Sequence, residues 1–111
     1  MPDNPLENAT LAKLGKIEYA GPYVYVCRNG KDSIEFPDLT AMDWDEAEEF
    51  MADIQGQPRK VWMPKYLGAA DLKKFEAEKL KFAEAIALIR DLVSHYQAIA
   101  GNLGEGAASR A

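Results

Sequence analysis

From residue 69 to residue 100 the chain contains neither Gly nor Pro, and apolar side chains recur through it at helical spacing. Leu72, Phe75, Phe82, Ile86, Ile89, Val93 and Tyr96 mark one stripe, interrupted by Lys79. A period near 3.6 dictates helix, because strand alternation would divide these residues between two faces. One long helix, or two helices meeting near residues 78–81, satisfies the pattern. Two are favoured, since an unbroken helix of this length is unusual in a small domain. Gly101 supplies the stop, being free to take the left-handed conformation that closes a helix.

Two shorter helices are expected upstream. Asp43-Trp44-Asp45-Glu46 reads as a helix start, with Asp43 as N-cap and Glu46 reaching back to it. Trp44, Ala47, Phe50, Met51 and Ile54 then form an apolar stripe, and Gln55-Gly56-Gln57-Pro58 ends it. Residues 59–68 carry Val61, Trp62, Met63, Tyr66 and Leu67 at helical spacing, while Pro64 limits them to a short or kinked piece. Both tryptophans read as core anchors that an interface can share.

Residues 23–36 follow a different pattern. Tyr23-Val24-Tyr25-Val26-Cys27 and Ser33-Ile34-Glu35-Phe36 alternate as strands do, and Asn29-Gly30 between them suits a two-residue type I′ turn. That turn pairs Arg28 with Lys31, Tyr25 with Ile34 and Tyr23 with Phe36, placing Tyr23, Tyr25, Ile34 and Phe36 on one face. An isolated hairpin is marginal in water, so this face must pack on helices or on a partner. Residues 1–20 read as a loosely ordered arm or one short helix, capped by Asn8 or Thr10 and ending at Gly15.

The expected fold is therefore mainly α with a small β-hairpin (α+β). It is a compact helical domain of four to five helices, with the hairpin at 23–36 and the main helices at 43–101. Residues 1–101 form a single domain, and the Gly- and Ala-rich residues 102–111 form a flexible tail whose deletion should leave stability nearly unchanged.

Charge then narrows the function. Residues 32–58 hold nine acidic residues and no Lys or Arg, whereas residues 59–81 hold seven basic residues against three acids. Such complementary segments favour self-association between copies, or pairing within one copy. The formal net charge is −5, and the basic segment is interleaved with aromatics, so nucleic-acid binding is not expected. No apolar run reaches the ~20 residues that span a bilayer, and the first residues are no signal peptide, so the expectation is a soluble cytosolic chain without a membrane partner.

Catalytic chemistry lacks its residues. Cys27 and His95 are each the single example of their type, which removes disulfides, Cys-based zinc sites and any His-centred constellation. His95 lies near a helix C-terminus, where a ring that can carry positive charge suits the dipole. The acids at 43, 45, 46, 48 and 49 lack the Gly and ligand spacing of a calcium loop, and helical geometry scatters them over a solvated face. No catalytic residue, cofactor or metal is assigned, and the chain is expected to be a non-enzyme. A binding role is the reading that remains, with Trp44, Phe50, Trp62, Tyr66 and Phe75 as candidate lining of an apolar groove between helices.

Several landmarks in order resemble the tail assembly chaperones of long-tailed, siphovirus-type phages infecting actinobacteria. They are Phe36-Pro37-Asp38-Leu39, Trp44-Asp45-Glu46-Ala47-Glu48-Glu49-Phe50, Val61-Trp62 with Tyr66-Leu67, and Leu80 with Phe82. His95-Tyr96 before a Gly-rich tail completes the set, and the resemblance spans residues 33–106. Pro64 departs from the family pattern. The resemblance implies a protein that binds the tape-measure protein and keeps it soluble while the tail tube assembles. It also implies a programmed frameshift that yields an extended form as a second partner, action in the host cytoplasm, and absence from the finished virion. The competing expectations are a small structural or adaptor protein of a phage particle, and a cytosolic regulatory protein-binding domain.

Overall fold

Alternating β-branched and aromatic residues build the hairpin first met along the chain. In the computed structural model, which describes residues 10–101, β1 (Tyr23–Val26) pairs antiparallel with β2 (Ser33–Phe36). Tyr23 lies opposite Phe36 and Tyr25 opposite Ile34, as the alternation predicts. Ile34 and Phe36 are fully buried, while Val24 and Val26 face outward.

The turn differs from the expected one. Gly30 takes a positive φ of 72°, but Asn29 does not, so the two-residue type I′ geometry is not formed. Instead residues 28–31 make a four-residue loop closed by Cys27 N–H to the Asp32 carbonyl at 2.8 Å. The Asn29 side chain explains the change. Its Oδ1 accepts from the backbone N–H groups of Lys31 and Asp32, at 2.8 and 3.0 Å, replacing the backbone acceptor of a tighter turn. Arg28 and Lys31 then sit in the loop, not in the ladder.

Four α-helices follow a one-turn 3₁₀ segment at Leu39–Ala41: α1 (Trp44–Gly56), α2 (Arg59–Tyr66), α3 (Ala69–Glu78) and α4 (Phe82–Ala100). The chain is thus mainly helical with one small hairpin. Residues 69–100 form two helices because Lys79 adopts a left-handed conformation, φ 49° and ψ 51°, that ends α3. Glu84 then restarts the helix by accepting from the Lys81 backbone N–H at 2.8 Å. Pro64 lies exposed within α2, which stops two residues later at Tyr66. Its missing N–H weakens the last turn, so the helix stays short.

Three local expectations need correction. Asp43 precedes α1 but makes no side-chain cap; its carbonyl alone accepts, from Ala47 N–H at 2.8 Å. Trp44, at the first helical position, is 78% exposed and is no core anchor. Phe82 likewise is 81% exposed at the start of α4, whose buried stripe is Leu88, Leu92 and Tyr96. Near the start of the described residues, Leu11–Leu14 form a short 3₁₀ segment, and Thr10 before it makes no side-chain cap. Asn8 and the expected tail at 102–111 lie outside the described residues.

The buried side chains form one cluster drawn from every layer. Ile34 and Phe36 come from the hairpin, Phe50 and Ile54 from α1, Trp62 and Met63 from α2, Phe75 from α3, and Leu88, Leu92 and Tyr96 from α4. Each such side chain contributes roughly 1.5–3 kcal/mol on burial. Polar ties orient the hairpin on this core. Tyr96 donates its hydroxyl to the Pro37 carbonyl, and Tyr23 donates to Asp91 at 2.6 Å. His95 Nε2 lies 2.7 Å from the Gly21 carbonyl and, since a carbonyl only accepts, must carry the proton there. Its ring also meets Tyr23 edge-on at 5.6 Å, so His95 pins the segment before β1 to α4.

Candidate functional site

The two helix breaks that the sequence encodes open a groove. Gln57-Pro58 turns the chain from α1 into α2, and the left-handed Lys79 turns it from α3 into α4. The C-terminus of α1, the start of α2, the end of α3 and the first half of α4 enclose about 770 Å³. Trp62, Met63, Phe75 and Leu88 form its buried floor, and half-buried Ile86 and Ile89 form one wall. Phe82 projects at the rim. Arg59 reaches across Phe75 with its guanidinium carbon 5.2 Å from the ring centroid, a cation–π contact that holds the head group at the groove's edge.

The five candidate lining residues are divided by the fold. Trp62 and Phe75 do line the groove. Phe50 lies behind Trp62, with ring centroids 6.2 Å apart, and is fully buried. Tyr66 packs at a tilt on Phe50, ring centroids 4.4 Å apart, and turns its hydroxyl to Asp53 at 2.9 Å, so it supports the core and does not line the groove. Trp44 stands apart, its indole N–H donating to Glu48 at 3.1 Å. Sequence periodicity alone missed the placement of Phe82, Arg59 and Lys79 in the groove. The available signal was the interruption of the apolar stripe at Lys79, since a helix break there necessarily splits the apolar residues around it.

The groove has a mainly apolar lining. It is lined by no His, Cys, Ser or Thr, and by a single carboxylate, Glu76. Among the described residues no group of three or more His, Cys, Asp or Glu side chains is placed to hold a metal ion. No helix among them is long and apolar enough to cross a membrane.

A second, shallower concavity lies between the hairpin and α4, where Tyr23 and Tyr25 face Arg28, Glu84 and Asp91. It is occupied by the protein's own bonds. Tyr25 donates to Glu78 at 2.7 Å, and Arg28 Nη2 donates to Glu84 at 2.9 Å. Burial, with the Asp91 carboxylate beside it, pushes the Tyr23 phenol well up. The hydrogen bond to Glu78 does so for Tyr25. Both phenols therefore remain protonated donors and serve as struts.

The acidic and basic segments are partly joined within one copy. Lys65 on α2 lies 2.7 Å from both Glu49 and Asp53 on α1. The hydrogen bond from Lys65, with a second from Tyr66, holds the Asp53 carboxyl below the usual range. Asp53 and then Glu49 raise the Lys65 ammonium in turn. Of the acids of α1, Asp45, Glu46 and Glu48 stay exposed on the solvent side.

Comparison with known proteins adds no assignment: no protein family, no curated protein and no solved structure matches this chain.

Proposed function

We propose that this protein is a non-enzymatic assembly chaperone that grips helical segments of a phage tape-measure protein and keeps them soluble while the tail tube assembles. The observation that carries the reading is the open apolar groove between α2, α3 and α4 with Phe82 exposed at its rim. An exposed aromatic beside a half-buried aliphatic wall is the arrangement by which grooves take up the apolar face of an amphipathic helix. Its floor is set by core residues, so the groove is ready before a partner arrives and little ordering cost falls on binding. The exposed acids of α1 keep a coated complex soluble through like-charge repulsion between complexes.

The choice of a tape-measure protein as partner rests on the ordered landmarks that resemble the tail assembly chaperones. The gene's surroundings offer a first check, namely an overlapping downstream frame followed by a very long one. The decisive experiment co-expresses this chain with the product of that long frame and measures the soluble fraction. Wild-type protein is expected to hold the long product in solution and to co-purify with it, and Phe82→Ser to lose most of both effects. A long product that stays insoluble with wild type, or that is rescued equally by Phe82→Ser, overturns the reading.

A further inference from the structure

The groove carries charge as well as apolar surface. Arg59 lines it from the start of α2 and Lys79 from the end of α3, and neither forms an ion pair among the described residues. Glu76 is the one carboxylate of the lining, so cations outnumber it there although the chain as a whole is acidic. The backbone adds to the imbalance. Arg59 is the first residue of α2, whose N-terminus has no side-chain cap and no acidic residue in its first turn, leaving the positive end of the helix dipole uncompensated.

From this charge pattern we infer that the groove selects an amphipathic helix of another protein whose apolar stripe is flanked by Asp or Glu. The inference rests on the groove being a helix-binding site and names the chemistry of the helix it takes. The apolar stripe fills the space over Trp62 and Phe75 and covers Phe82, while the flanking carboxylates reach Arg59 and Lys79. Those two pairs favour a helix with acidic flanks, and the same cations disfavour one with basic flanks. A second copy of this chain is a poor occupant. Its one strongly acidic helix, α1, already spends its apolar stripe on the core through Phe50 and Ile54.

The test uses two fluorescently labelled helical peptides with the same Leu stripe, one flanked by Glu and one by Lys, titrated with the full chain and read by anisotropy. The Glu-flanked peptide is expected to bind about tenfold more tightly. The double variant Arg59→Gln, Lys79→Asn should bring the two peptides to within about twofold of each other. Phe82→Ser should weaken both. Lys79→Asn alone, a change at an exposed position, preserves the comparison if the double variant fails to fold by circular dichroism. Equal affinities, or preference for the Lys-flanked peptide, overturn the acidic preference while leaving helix binding intact. Binding of neither peptide, or binding unaffected by Phe82→Ser, overturns the helix-binding site together with the preference.

Discussion

Tyr96, fully buried on α4, donates its hydroxyl to the carbonyl of Pro37 at the end of β2. One hydrogen bond thus closes the last helix onto the strand that enters the helical half of the chain. Burial raises the Tyr96 phenol far above its ordinary range, so the donor persists where an ordinary tyrosine ionises. Tyr96→Phe keeps the ring against Phe50 and deletes only the hydroxyl, leaving the carbonyl without its donor. The expected cost is about 1–2 kcal/mol, read as a lower urea midpoint with an unchanged slope.

The two tryptophans make a paired prediction. Trp62 is 2% exposed and Trp44 78% exposed. Trp62→Ala should cost about 3–5 kcal/mol, because it removes a large buried ring from the core, whereas Trp44→Ala should change stability by less than about 0.5 kcal/mol. Iodide quenching provides an independent check, since only the Trp44 fluorescence should be accessible. Equal quenching of both would contradict their placement.

This pair also marks what the sequence could and could not reveal. The hairpin register and the helix break at residues 78–81 were legible, because period-two alternation and a charged residue in an apolar stripe act locally. Tryptophan burial was not. Trp44 fits the α1 stripe, but at the first helical position it is left exposed, and only tertiary contacts decide that. The groove was half legible for the same reason. Trp62 and Phe75 are large apolar residues wherever they lie, whereas Phe82 belongs to the site only because Lys79 turns α4 across the end of α3. The Asn29-Gly30 loop failed as a type I′ turn because the Asn29 side chain, not the Arg28 carbonyl, accepts from the Lys31 N–H.

Acid should loosen the contact between α1 and α2. Hydrogen bonds from Lys65 and Tyr66 depress the Asp53 carboxyl, so its contribution is present above the ordinary aspartate range. It is lost as pH falls through the lowered value. The sign is opposite for Lys65, whose raised value keeps its contribution intact below the ordinary lysine range and removes it only in strong alkali. Urea unfolding from pH 7 down to about pH 2.5 should show a fall in stability that is shallower in Asp53→Asn. An identical pH slope in variant and wild type would remove Asp53 from the account.

Lys79 links stability to binding in opposite directions. It is the one non-glycine residue with positive φ among the described residues, and it sits in the left-handed region that costs an L side chain roughly 1–2 kcal/mol. Lys79→Gly relieves that strain but makes the unfolded chain more flexible, which returns about 0.5–1 kcal/mol of it. The net expectation is a gain of about 0.5 kcal/mol, visible as a higher urea midpoint. No steric obstacle opposes the change, since the side chain is exposed. If Lys79 were retained only by chance, binding of a Glu-flanked helix would be unaffected by the substitution. If it is held in a strained conformation to present a cation to the groove, the same variant should be more stable and bind that helix several-fold more weakly. Unfolding and anisotropy titrations on one preparation of Lys79→Gly measure both effects, and a variant that gains stability without losing affinity would remove the link.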